Sequence, residues 1–447
     1  MPLKKGSNLE VFMSSSVATL EKIVALCKRR GFAYQSAEIY GGLNGVYDFG
    51  HLGVILKNTI KNTWLAHMTS FEQDVLLLDG SILGSADVWK ASGHLDNFSD
   101  PMVDCLSCKK RYRADDIDLE KNCAHCGNKQ WTDVRQFNLM FQTQLGAMSD
   151  GSSVAYLRPE TAQAIFINFK NVISTNRVKI PFGIAQIGKA FRNEITPRQF
   201  LFRMREFEQM EMEFFCKEAE SDEFFKLWVE RRLSFFKALG LNQDRIRSRA
   251  HASNELAHYA KGCYDVEYEF PFGWKELEGI AHRSNFDLSQ HSKFSGKDLA
   301  VFDEATKTSY IPNVVECSVG VDRLFLTLLF DAYDEDEVEG EPRTVLRFHP
   351  RVAPYTAAIM PLSNKLTEHT TALFKKLKAE GFRVQHDDSG SIGKRYRRQD
   401  EIGTPVCFTF DFESLEDGKV TARNRDTTKQ ERIAIDQMSS YLRDLLK

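Results

Sequence analysis

The feature that most constrains this 447-residue chain is a short acidic segment, DAYDEDEVEGEP at residues 331–342, with seven carboxylates and one proline. Like charges at that density repel and cannot share a core. The segment is therefore expected to be a solvated linker or loop that divides the chain. Beyond it the pattern alternates. TAAIMPL (356–362) reads as a strand, 363–380 as a helix, RVQHDD (383–388) and VCFTF (406–410) as strands, and 431–446 as a helix. That alternation predicts a small α/β domain over 346–447 with a mixed or parallel sheet. Residues 1–345 are then expected to form one larger domain.

Composition sets broad limits. The chain is 42% hydrophobic and 27% charged, an ordinary globular balance, with a net charge of −3. No global positive field advertises nucleic acid, although a local basic face on a neutral protein is enough for RNA. No run approaches the roughly 18 apolar residues that a membrane helix needs. Met1 to Ser16 carry Lys4 and Lys5 but no apolar h-region, so no secretory signal is expected. Nine cysteines, most of them scattered, fit a reducing cytoplasm better than a disulfide framework.

Within the larger part, residues 17–30 and 52–68 (LGVILKNTIKNTWLAHM) have helical spacing, and a Gly-rich stretch over 41–50 precedes the second. Residues 100–135 are polar, carry four cysteines and look inserted. A helix over 221–240 belongs to a second, helical insertion expected at about 218–262. Gly183 to Ala190 nearly spell a P-loop, but Ala190 lacks the hydroxyl that would hold Mg²⁺ and no long helix follows, so a strand is expected there.

Phe191-Arg-Asn-Glu194 is separated by a turn-rich stretch, Ile195 to Phe202, from RMREFEQMEMEFF. In a strand, side chains alternate faces. Arg205, Phe207, Gln209, Glu211 and Glu213 would share one face, and Glu206, Glu208, Met210, Met212 and Phe214 the other. Guanidinium forks that grip phosphate, beside a ring that can stack on a base, suit a nucleotide. Charge pattern alone fits a solvated, salt-bridged segment equally well.

FRNE, the loop and RMREFEQMEME together resemble motif 2 of the class II aminoacyl-tRNA synthetases. Val315-Glu-Cys-Ser-Val-Gly-Val-Asp-Arg323 resembles their motif 3, and DFGHLGVILKNTIKNTW, from Asp48, their motif 1 region. No His-Ile-Gly-His or Lys-Met-Ser-Lys-Ser element of the other class is present. LRPETAQ (157–163), WKELEGIAHRSNFDL (274–288) and TVLRFHPRVAPYTAAIMPL (344–362) are similar to the homodimeric glycyl-tRNA synthetases, and the likeness spans nearly the whole chain. It implies an α+β catalytic domain on an antiparallel sheet with a zinc-ribbon-like insertion, followed by an α/β anticodon-binding domain. It also implies a cytoplasmic homodimer that uses ATP with Mg²⁺, glycine and a glycine-accepting tRNA.

Carried over position by position, the resemblance places ATP on Arg192, Asn193, Glu194, Phe202, Arg203, Met204, Arg205, Glu206, Phe207, Glu276, Leu277, Gly320, Val321, Asp322 and Arg323. Arg192, Glu194 and Arg323 would carry catalysis, and Phe207 would be the adenine platform. Glycine would meet Arg113, Glu160, Phe207, Glu211, Glu316, Ser318 and Gly320. Carboxylates suit its ammonium, and activation needs positioning and charge neutralisation, with no protein nucleophile. The family usually has Pro, Gly and Pro where this chain has His51, Ala164 and Cys317, and Cys317 stands between two proposed pocket residues.

Cys105-x₂-Cys108 and Cys123-x₂-Cys126 are fourteen residues apart, a spacing that suits a closed structural Zn²⁺ site, with free or redox thiols the alternative. Lys394-Arg395-Tyr396-Arg397-Arg398 could bind RNA phosphates and stack a base, or could be a solvated helix face. Two rival functions share the fold: a non-catalytic synthetase-like subunit, and a synthetase for another amino acid. Against the first stand Arg192, Glu194, Glu316 and Arg323, which such a subunit loses. Against the second stands the combination of RPETAQ with ELEGIA.

Overall fold

A computed structural model of the chain describes residues 18–146, 154–257 and 260–447. Residues 1–16, where no secretory signal is expected, lie outside the described residues. Two compact units are present, one spanning Gly31–Leu328 and the other residues 18–30 with Leu329–Lys447.

The larger unit is built on a seven-stranded sheet in the order Ile246–Ala250, Gly262–Phe270, Gly273–Ser284, Asn313–Gly320, Glu206–Cys216, Phe182–Phe191 and Val75–Leu77. All neighbours are antiparallel except the last pair. This is the antiparallel sheet the sequence led one to expect. The near-P-loop is indeed a strand. A Cβ on Gly188 would stand 2.1 Å from Arg158 Nη2, so that glycine makes room for a guanidinium and not for a phosphate.

Alternation assigns the two faces of the sheet different work. Met210, Met212 and Phe214 are fully buried, and Phe214 packs on Phe224 and Trp228 of the helix Glu218–Ala238. On that side Arg232 donates to Glu278 at 2.6 Å, both side chains fully buried. The other face carries Phe182, Ile184, Phe215 and Val314, which pack with Phe166 and Phe169 of the helix Ala162–Asn176. The polar residues Gln209, Glu211, Glu213, Glu316 and Ser318 continue along that same face. A charged row is tolerated there because one end of the face is closed by apolar packing and the other is left for a site.

Within the stretch expected as a helical insertion, Ile246–Ala250 pairs with Gly262–Phe270 as the edge strand of the main sheet. The cysteine segment forms a three-stranded sheet of Arg111–Arg113, Ser99–Asp104 and Arg135–Asn138.

The smaller unit has a five-stranded sheet, with Ala357–Pro361 parallel to Val384–His386 and to Val406–Phe410, and two antiparallel strands beyond. The acidic segment is not a solvated linker. Tyr333–Val338 and Glu341–Leu346 pair as an antiparallel hairpin turning at Glu339 and Gly340. Arginines make this possible: Asp336 accepts from Arg343 and Arg347, Asp334 accepts from Arg347 at 2.8 Å, and their charge holds the Asp336 carboxyl low despite its burial. The compact unit that holds the five-stranded sheet takes in Leu329–Lys447, so the hairpin belongs with it.

Candidate active site

Two adjoining regions lie on the polar face of the large sheet. The first is a cleft of about 280 Å³ lined by Arg192, Glu194, Phe202, Arg203, Met204, Phe207, Glu276, Gly320, Asp322 and Arg323, among others. Arg192 anchors its Nε on the Pro159 carbonyl at 3.1 Å and holds its guanidinium 5.3 Å over the Phe207 ring. Arg323 donates to the Glu276 carbonyl at 2.8 Å and stacks 4.6 Å over Phe202. Burial pushes the Glu194 carboxyl up, against the pull of Arg203 and Arg192. Glu194 Oε2 and Arg203 Nη1 are buried and lack hydrogen-bond partners among the described residues. Buried polar atoms are rarely left so. This acceptor and this donor can serve an exocyclic amine and a phosphate oxygen.

Three positions expected on the nucleotide do not face the cleft. Arg205 precedes the strand, and its guanidinium is occupied by the Glu194 and Asn44 carbonyls at 2.8–3.2 Å, so it braces the turn. Glu206 points to the other face and pairs with Lys189 at 2.8 Å. Asn193 donates its backbone N–H to the Leu139 carbonyl and is not among the lining residues. Leu277 and Val321 have buried side chains, which leaves only their backbone to offer. Asp322 lines the cleft as a brace, accepting from Lys57 Nζ at 2.5 Å and from the Glu208 N–H at 2.7 Å.

The second region is a pocket of buried carboxylates. Glu211 accepts from the Thr161 N–H at 2.8 Å, from the Thr161 hydroxyl, from Ser318 Oγ at 2.7 Å and from Gln209 Nε2 at 3.0 Å. Burial and the neighbouring Glu160 raise its carboxyl. Glu160 is held well below the usual range: His94, Arg283 and Gln163 outweigh its burial. Its Oε2 lies 3.3 Å from His94 Nε2, and Gln163 donates to Oε1 at 3.0 Å. Arg283 grips Asp287 bidentately at 2.8 and 2.9 Å and also donates to Glu316. Burial nevertheless pushes Glu316 to about 7.

The structure thus brings together Glu160, Glu211, Glu316 and Ser318, with Phe207 and Gly320 at the cleft side. Arg113 is placed elsewhere. It pairs with Asp100 at 2.8 Å and Asp115 at 2.7 Å, and its charge acts on Glu194 and Arg203, the nucleotide side. Cys317 points to the opposite face, in register with Met212 and Ile280, and does not enter the pocket. Sequence reasoning missed His94, Thr161, Gln163, Arg283, Asp287 and Lys57. The Arg283–Asp287 spacing of four residues was a visible signal for one ion pair. Nothing in the sequence pointed to His94 or Lys57, which reach the site from distant segments.

The four paired cysteines converge. Cys105 and Cys126 sulfurs are 3.5 Å apart, and Cys108 and Cys123 sulfurs 3.8 Å. A tetrahedral site with metal–sulfur bonds of about 2.3 Å has sulfur–sulfur edges of about 3.8 Å, and with all four sulfurs within 4.8 Å of one another the set is compatible with zinc.

The basic run at 394–398 sits on the helix Ile392–Ile402 and is mostly committed internally. Arg395 is buried and donates to the Pro361 and Asp388 carbonyls. Tyr396 bonds Thr409 at 2.7 Å beneath the Arg423 guanidinium, so its ring is not free to stack on a base. Arg398 is held by Asp387 and Arg397 by the Val338 carbonyl, leaving Lys394 as the exposed cation. Most of this run thus anchors its own helix, while Lys394 remains exposed.

Residues 141–333 match the family model of the tRNA synthetase class II core domain (G, H, P, S and T), and residues 356–445 that of the anticodon binding domain. A glycine–tRNA ligase of Borreliella afzelii (strain PKo) is 52% identical over 432 residues, covering 95% of this chain and 97% of that protein. One of Treponema denticola is 50% identical over 447 residues, covering 97% and 99%. One of Caldanaerobacter subterraneus subsp. tengcongensis is 50% identical over 456 residues, covering 96% and 99%. With class II core, carboxylate pocket and anticodon-binding domain in one chain, this protein belongs to the glycine–tRNA ligase family of class II aminoacyl-tRNA synthetases.

Proposed function

We propose that this chain activates glycine with ATP, forming glycyl-adenylate and pyrophosphate, and then transfers glycine to the 3′ end of its tRNA. The observation that carries the reading is the adjacency of the two regions: an arginine-lined cleft with unsatisfied donor and acceptor atoms opens beside a pocket in which Glu211 and Glu316 are held by hydrogen bonds. The pocket suits an ammonium and offers rigid walls against added bulk, which a glycine site needs. Arg192 and Arg323 would neutralise charge on the phosphates. Glu276, half exposed in the cleft and 3.2 Å from Arg323, would be the carboxylate to hold Mg²⁺, which would supply further neutralisation there.

We also read the four-cysteine set as a structural zinc site, checked by metal analysis of protein prepared without chelator. The chain is read as a cytoplasmic homodimer, with the unit at 346–447 binding tRNA. No helix among the described residues is long and apolar enough to cross a membrane. The deciding experiment is pyrophosphate exchange with each amino acid in turn. Exchange dependent on glycine is expected, and exchange with another amino acid, or with none, overturns the assignment.

A further inference from the structure

One row of side chains crosses the polar face of the large sheet from strand to strand: Gln186, Glu211, Ser318, Gly279, Asp265 and Arg249. Residues in such a row project to the same side, about 5 Å apart. At one end Gln186 is buried and bonded to the Gly80 N–H, so the row is closed there. In the middle of the row, between Ser318 and Asp265, stands Gly279. Its backbone is not in the left-handed region, and a Cβ added to it would meet no atom within 4 Å. Neither strain nor packing demands glycine at this position, and the result is an open lane beside Ser318 and the carboxylate pocket.

Polar groups wait at the far side of the lane. His251 Nε2 is 2.7 Å from Asp265 Oδ2 and is itself shut off from solvent, so it acts through Asp265. Asp265 lies two strands, about 10 Å, from Ser318, a span that admits one sugar ring. The carboxyl of Asp265 is raised by burial and by Glu276, which ties it to the cleft as well. Cys263 lies within 4.8 Å of both groups, so a metal ion is conceivable. Against an ion, Arg249 already donates to Asp265 Oδ2 at 3.1 Å, and its positive charge opposes a cation there. Hydroxyl groups suit this site better.

We infer that the lane over Gly279 receives the terminal ribose of the RNA acceptor end, with the Asp265 carboxylate as its hydroxyl partner and His251 holding that carboxylate in place. This rests on the function proposed above. In this role the two residues orient the attacking hydroxyl beside the activated glycine and take no part in activation.

The test compares Gly279→Val and Asp265→Asn in the full-length chain by two assays: glycine-dependent pyrophosphate exchange, and single-turnover transfer from preformed adenylate to tRNA. Transfer is expected to fall at least about tenfold further than exchange in both variants, as mispositioning of a reactant does. Equal losses in the two assays would place these residues in the glycine pocket and overturn the inference, as would no loss in either. A stoichiometric divalent ion lost on Cys263→Ser would also overturn it, assigning the cluster to a metal. If Asp265→Asn fails to fold, Gly279→Val, whose first added carbon meets no atom, decides alone. A wild-type chain that exchanges no glycine would instead refute the proposed function, which is a separate result.

Discussion

The nucleotide cleft and the carboxylate pocket share a sheet face but are finished differently. In the pocket every carboxylate oxygen of Glu211 is engaged and Arg283 is shared by Asp287 and Glu316, so the walls are fixed before any substrate arrives. In the cleft Glu194 Oε2 and Arg203 Nη1 are left without hydrogen-bond partners among the described residues. The difference teaches that the two regions select differently. A pocket for a very small substrate gains selectivity from walls that cannot yield, since small differences in bulk are otherwise worth little. A cleft for a large polyanion gains affinity from donors held ready for it.

The sharpest way to break this comparison is at the cleft. Arg323→Ala removes a guanidinium that Phe202 and Glu276 hold in place without neutralising it fully. Exchange measured as kcat/KM is expected to fall on the order of 10²–10³-fold, with little change in melting temperature. Preserved exchange would show that the cleft does not bind the phosphates. Arg283→Met should do the reverse. It strands Asp287 and Glu316 as buried carboxylates, so denaturant unfolding should show a loss of about 3–5 kcal/mol. A variant as stable as wild type would mean that the pocket is not pre-tied by this arginine.

The smallest effect is on pH. Glu316 sits at about 7, pushed up by burial against the pull of Arg283. Below that pH its carboxyl keeps a proton and cannot complement the glycine ammonium; above it the anion is present. The KM for glycine should therefore rise as pH falls, approaching about tenfold per unit below pH 7. Exchange assays from pH 6 to 8 would show the slope, and Glu316→Gln should flatten it. A flat wild-type profile would remove Glu316 from ammonium recognition.

Much of this site was legible because its residues lie in two contiguous strands. Alternation along 205–214 correctly gave Phe207, Gln209, Glu211 and Glu213 one face and the methionines the other. It failed at Arg205, which lies before the strand begins and turns to backbone carbonyls. The acidic segment and the basic run at 394–398 misled for one shared reason. Charge density in a sequence does not reveal whether a counter-charge exists, and here Arg343 and Arg347 neutralise the first while Asp387 and backbone carbonyls absorb the second.

By itself the sequence determined a class II core with its ordered motifs, a C-terminal α/β domain and the cysteine spacing, and it offered the pocket carboxylates as candidates. Those depend on local periodicity and on side-chain type. The tertiary structure alone decided which charges remain available. His94, Lys57 and Asp322 are brought in from separate segments, Arg395 is withdrawn into the interior, and Gly279 is left open beside Asp265. Whether a charged group can serve a ligand depends on its neighbours in space, and those are set only when distant strands fall into register.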